Sequence, residues 1–108
     1  MYLIGFDIGS SSVKAGIVDA ATGRTLSNAF YPKQEAPIRS EKTGWAEQHP
    51  HDWWTYLKQA LTEALGTAAQ TAGCPAATLR ENIAAIGISY QMHGLVCVDK
   101  HQRVLRPA

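Results

Sequence analysis

The 108-residue sequence predicts an α/β domain built on a mixed sheet. Strand-length apolar or alternating runs stand near both ends, with one long stretch of helical periodicity between them. Their order, three strands, a helix and two further strands, is that of a meander followed by a crossover.

Tyr2 to Phe6 is an apolar run that suits a strand buried on both faces. It gives way to the small polar stretch Asp7-Ile8-Gly9-Ser10-Ser11-Ser12, which marks a turn. Val13 to Asp19 alternates, with Val13, Ala15, Ile17 and Asp19 on one face and Lys14, Gly16 and Val18 on the other. Ala20-Ala21-Thr22-Gly23 is a hairpin connection. Arg24 to about Lys33 follows as a strand whose mixed residues suit a sheet edge.

A loop containing Pro37, Gly44 and Pro50 leads into a helix over Pro50 to Ala72. There Trp53, Leu57, Ala60, Leu61, Ala64, Leu65 and Ala68 form one apolar stripe. Pro50 suits the first turn, Asp52 complements the positive helix start, and Gly73 with Pro75 closes the helix. Ala76 to Glu81 forms a short extra turn. Ile83 to Ser89 and Leu95 to Asp99 are strand-like, with Val104 and Leu105 opening one more. The helix lets the strand after it lie parallel to the first. Five strands and one helix leave one sheet face largely uncovered, so the chain is expected to pack against further chain or a partner.

With 45% hydrophobic and 18% charged residues and a net charge of +1, the chain reads as an ordinary globular domain. The near-zero charge argues against nucleic acid or a membrane surface as partner, since both attract a basic field. Cys74 and Cys97 stand alone, which fits a reducing cytoplasm better than a disulfide framework. The start Met1 to Asp7 has no basic segment ahead of its apolar run, unlike a secretory signal.

The chemistry begins at the turn. A Gly-containing bend between two strands presents consecutive backbone N–H groups to an anion. Ser10, Ser11 and Ser12 add hydroxyl donors, and Lys14 adds a point charge. Asp7, at the strand end, suits Mg²⁺ held through water beside phosphates. The same residues also satisfy a plain polar hairpin with a surface carboxylate. The bend is not a Walker loop, because no Gly-Lys-Ser/Thr follows it into a helix.

Asp7-Ile8-Gly9-Ser10-Ser11-Ser12-Val13-Lys14 resembles the first phosphate motif of the actin-like ATPase superfamily. Gly44-Trp45-Ala46-Glu47-Gln48-His49-Pro50, Trp53-Trp54 and Gly87-Ile88-Ser89-Tyr90-Gln91-Met92-His93-Gly94 narrow the resemblance to the FGGY carbohydrate kinases, and within them to the xylulose-directed members. It implies a ribonuclease H-like, actin-like fold, with residues 1–108 as the first part of the N-terminal domain of a two-domain enzyme. ATP and a sugar would meet between the domains, with ATP and Mg²⁺ as cofactors and a homodimer as one assembly of the full-length protein. The implied reaction is phosphorylation of a small ketose, D-xylulose foremost, to the 5-phosphate. Gluconate, ribulose or glycerol are alternative acceptors, and a non-catalytic ATP-binding module is the distant alternative. The 108 residues alone are expected to be inactive.

By the same resemblance, Asp7 assists the Mg-phosphate end. Gly9, Ser10, Ser11, Ser12 and Lys14 face the ATP phosphates. Gln91, Met92 and His93 contact the sugar. A His at a strand end beside Gly94 can donate to and accept from hydroxyls, although a core Met beside a satisfied His would read alike without the family. One departure is His49, where the family has Asp before the helix-opening Pro. A lost Asp cap costs about 1 kcal/mol, recoverable through Asp52.

The remaining candidates are weaker. Glu47, His49 and His51 lack the spacing of a complete metal set. Trp53 and Trp54 read as packing, and Trp45 and Glu47 as either cleft lining or loop anchors. Cys97 reads as a buried, inert thiol in an apolar strand.

Overall fold

The computed structural model describes all 108 residues. The elements are β1 (Tyr2–Ile8), β2 (Val13–Asp19), β3 (Thr25–Tyr31), α1 (Pro50–Ala72), α2 (Ala76–Glu81) and β4 (Ile83–Tyr90). They form one four-stranded sheet in the order β3-β2-β1-β4. β1 and β2 are antiparallel, as are β2 and β3, while β4 lies parallel to β1. The meander, the edge position of β3 and the parallel return after the helix all match the sequence pattern.

Helix α1 lies across β3 and β2 on one face of the sheet. Its stripe of Ala60, Ala64 and Ala68 brings the helix close, and these side chains pack with Ile4, Phe6, Ala15, Ile17 and Leu26. Leu57, Leu61 and Leu65 flank that core, and Leu79 of α2 closes one end. Ser27, buried in β3, donates from Oγ to the Ala64 carbonyl at 2.7 Å. That contact pins strand to helix without an unpaired hydroxyl. Gly73 ends α1 at φ 70°, a left-handed conformation that glycine adopts without steric cost.

The helix start corrects one expectation. Nδ1 of His49 itself accepts from the His51 backbone N–H at 3.4 Å, so the residue replacing Asp still caps, at the long end of hydrogen-bond range. The two imidazole rings stack at 5.1 Å.

Further expectations change. Tyr2–Phe6 is not buried on both faces: Ile4 and Phe6 face α1, whereas Leu3 and Gly5 open onto a face that no helix covers. β4 is exposed along almost its whole length, because α1 sits over the far side of the sheet. Leu95 to Asp99 does not form a fifth strand, and Val104 and Leu105 do not begin another. The Asp99 carboxylate accepts the backbone N–H groups of His101 and Arg103 and bends the chain into a turn. The segment then pairs with itself through a single Val98–Val104 bridge. A strand needs a continuous ladder partner, and this narrow loop offers none. Cys97 is accordingly half-buried on that loop, not in a strand core.

No helix is long and apolar enough to cross a membrane.

Candidate functional site

Because β1 and β4 run parallel, their C-terminal ends emerge together. The chain leaves β1 into the Gly9–Ser12 bend and leaves β4 into Gln91–Gly94. The ladder pairs Asp7 with Ser89 and Ile8 with Tyr90. One step beyond, the Gln91 N–H donates to the Ile8 carbonyl at 3.0 Å. The two segments singled out in the sequence are therefore adjacent on one edge of the fold.

The strand registers also build a polar row across the open face. Asp7 is paired with Lys14 on β2 and with Ser89 on β4. Lys14 Nζ lies 3.6 Å from Asp7 Oδ2, and Ser89 Oγ donates to Asp7 Oδ1 at 3.1 Å. Asp7 and Lys14 rim a depression of about 490 Å³ whose floor is formed by Gly5 and Gly16. Glycines there leave backbone, not side chain, facing the opening.

The bend is tight. Gly9 N–H donates to Ser12 O at 3.1 Å, and a Cβ on Gly9 would stand 2.9 Å from that carbonyl. Ser11 Oγ donates to Glu35 Oε1 at 3.3 Å, and the Ser11 carbonyl accepts from Ala36 N–H at 2.8 Å. Ser11 and Ser12 border a shallow hollow of about 270 Å³ with Lys33 and Glu35.

Ser10 faces the other way. It lines a cavity of about 210 Å³ together with Gln48, Trp53, Gln91 and His93. Gln91, one of the lining residues, has a buried Nε2 without a protein partner. An orphaned amide N–H of this kind is costly unless something accepts from it. Met92 does not line the cavity and is 80% exposed.

Seven of the nine predicted site residues line one of three hollows, and Gly9 and Met92 line none of them. Ser10, Gln91 and His93 share one, Ser11 and Ser12 border the second, and Asp7 and Lys14 the third. Residues the sequence reading passed over also contribute. Gln48, buried in the loop before α1, donates from Nε2 to the Ser10 carbonyl at 2.7 Å and accepts from Trp53 Nε1 at 3.0 Å. Trp53, expected to serve packing, is a wall of the cavity, and a Cβ added at Gly94 would stand 3.5 Å from its ring. Glu47 is a loop anchor, accepting from Arg106 Nη2 at 2.9 Å while its backbone pairs with Arg39. Trp45 is exposed beneath the Lys42 ammonium.

Three or more metal-ligating side chains do not converge anywhere, so the chain offers no all-protein metal cage. A single half-exposed carboxylate at Asp7, with lone pairs left over from Ser89, is the donor set that suits a water-rich Mg²⁺ shared with phosphates.

Comparison with known proteins places these features. The model for the FGGY family of carbohydrate kinases, N-terminal domain, matches residues 2–108. A xylulose kinase of Bacillus subtilis is 35% identical over 107 residues, covering 99% of this chain and 19% of that protein. The crystal structure of xylulose kinase from Rhodospirillum rubrum superposes with a TM-score of 0.76 at 26% identity, over 99% of this chain and 20% of that one. A gluconate kinase from Lactobacillus acidophilus superposes at 0.75 over 98% of this chain and 18% of that one, and at 23% identity it shows the shared fold alone. The chain spans about one fifth of the length of the relatives it matches. With its actin-like sugar-kinase fold and a family match over nearly every residue, the chain belongs to the FGGY carbohydrate kinases.

Proposed function

We propose that these residues form the first part of the N-terminal domain of an enzyme that phosphorylates a small ketose with ATP. D-xylulose is the foremost substrate and xylulose 5-phosphate the product. The observation that supports this reading most is the meeting of the Gly9–Ser12 bend and the Gln91–His93 junction at one end of β1 and β4. A phosphoryl donor on the first and a sugar on the second would be neighbours, which is the main requirement of phosphoryl transfer.

In this reading the Gly9 region and the hydroxyls of Ser10, Ser11 and Ser12 donate to ATP phosphate oxygens, with Lys14 supplying positive charge. Asp7 holds Mg²⁺ through water, oriented by Ser89. When bound, Mg²⁺ neutralises charge on the phosphate oxygens. His93 and Gln91 hydrogen-bond sugar hydroxyls, and the exposed Met92 adds apolar contact. Trp53 and Gln48 wall the cavity against bulk water, which would otherwise compete as acceptor. No residue of this chain is assigned as general base or adenosine contact.

The test is a coupled ADP assay on the full-length protein with D-xylulose, ribulose, gluconate and glycerol. D-Xylulose is expected to give the highest kcat/KM. A higher value for gluconate moves the substrate assignment, and sugar-independent hydrolysis accompanied by assembly supports a non-catalytic module instead. Sedimentation of the same preparation tests the homodimer.

A further inference from the structure

Gln48 is one of only two buried polar residues in the chain, at 8% exposure, and its amide is used at both ends. Nε2 donates to the Ser10 carbonyl at 2.7 Å and lies 3.4 Å from the Pro37 carbonyl. Oε1 accepts from the Trp53 indole at 3.0 Å. Its backbone is also held, exchanging two hydrogen bonds with Ala108 at 2.8 and 3.0 Å. One side chain therefore ties the serine bend, the loop before the helix and the first turns of α1 into a single unit.

The two partners of that amide come from different segments that meet at one cavity. Ser10 and Trp53 both line the cavity holding Gln91 and His93, and in the kinase reading Ser10 also belongs to the bend that faces phosphates. The amide supplies a donor to the carbonyl and an acceptor to the indole from one planar group. A carboxylate would set an acceptor against the Ser10 carbonyl, and an aliphatic chain would abandon both contacts.

We propose that Gln48 is a positioning residue, which fixes the serine bend relative to the sugar cavity so that the sugar hydroxyl, and not water, receives the phosphoryl group. The proposal rests on the kinase reading above and adds a role that reading does not need. Its chemical signature is the partition between two acceptors. In transfer, the sugar oxygen bonds the γ-phosphorus while the bond to the β,γ-bridging oxygen breaks, releasing ADP and a proton. In the leak, a water oxygen does the same and yields inorganic phosphate.

The experiment uses the full-length protein and three variants, Gln48→Glu, Gln48→Leu and Trp53→Phe. Glu is nearly isosteric, and Phe keeps an aromatic wall while removing the indole N–H together with the second ring. Each variant is checked for folding by circular dichroism and thermal melting, then assayed with ATP and D-xylulose for both ADP and sugar phosphate. Gln48→Glu and Gln48→Leu are expected to lower kcat for transfer about 10- to 100-fold, the scale of a misplaced reacting group. KM for the sugar is expected to change much less, and phosphate released per sugar phosphate formed to rise. Trp53→Phe is expected to move the same ratio in the same direction, by less. If folded Gln48→Glu keeps the wild-type ratio, or if transfer and leak fall together in every folded variant, Gln48 has no positioning role. A wild-type protein that phosphorylates none of the sugars in the panel removes the kinase reading and this proposal together, an outcome distinct from active wild type with unaltered variants.

Discussion

Ser89 Oγ donates to Asp7 Oδ1 at 3.1 Å, joining residues 82 positions apart that the parallel ladder sets side by side. The hydroxyl occupies one carboxylate oxygen and leaves the group's remaining lone pairs toward the open face. Asp7→Ala in the full-length enzyme is expected to lower kcat far more than it weakens sugar binding. Ser89→Ala should cost kcat about 5-fold, the equivalent of about 1 kcal/mol for one hydrogen bond. Steady-state kinetics with both substrates varied check the pair, and unchanged turnover in Asp7→Ala would refute its role.

Gly9 has no room for a side chain. Its Cβ would meet the Ser12 carbonyl at 2.9 Å, and backbone cannot swing aside as a flexible side chain does. Gly9→Ala is expected to distort the bend and raise the KM for ATP about 10-fold, with the sugar KM little affected. Equal ATP affinity in the two proteins, measured by calorimetry with a non-hydrolysable analogue, would speak against the bend as a phosphate cradle.

His93 shares the cavity with Gln91, whose amide donor has no protein partner. Removing a group that pairs with a substrate hydroxyl leaves other polar groups unmatched. His93→Ala should therefore raise the sugar KM at least about 10-fold while ATP binding persists. A sugar KM within twofold of wild type places the acceptor elsewhere.

Ser27 and the alanine stripe predict stability, not activity. Ser27→Ala removes the 2.7 Å bond to the Ala64 carbonyl and should cost about 1 kcal/mol. Ala64→Leu inserts bulk where strand and helix are in contact and should cost about 1–3 kcal/mol. Denaturant unfolding followed by circular dichroism reports both.

Asp99 carries the acid sensitivity of its loop. Its carboxyl is held below the ordinary value of 3.8, chiefly by the Arg103 backbone N–H. Desolvation opposes that shift, and the Arg103 side chain and the His101 N–H add to it. A depressed folded value means the contribution is present above 3.8 and is lost as pH falls through the lower folded midpoint. The protection of the His101 and Arg103 amides relative to their intrinsic exchange rates should fall in that acid window in the wild type. In Asp99→Asn that protection should be nearly flat across the window.

What was legible in the sequence was whatever had a period or a punctuating residue. The alternation of Val13–Asp19, the stripe of α1 and the stop at Gly73 each depend on local chemistry that a single chain displays. The strand assigned to Leu95–Asp99 failed for the converse reason: its residues have strand character, but a strand exists only with a ladder partner, and Asp99 turns the chain before one is reached. Asp7, Ser10 and His93 were singled out through motifs that stand at strand ends. Gln48 and Ser89 were not singled out because their contacts are relational. A polar residue in a loop, or one serine in an apolar strand, shows no partner until the register is known. Gln48 lay within the quoted Gly44–Pro50 motif, so the signal was present, but nothing local tied it to Ser10.

The ladder from Asp7–Ser89 to Gln91–Ile8 has a mechanical consequence. Neighbouring strands in a sheet keep a nearly constant spacing, so the ends of β1 and β4 that carry the two segments stay abreast of each other. They form a stationary anvil. In the kinase reading, narrowing around a bound donor and acceptor would come from the loops at those ends or from chain outside this sheet.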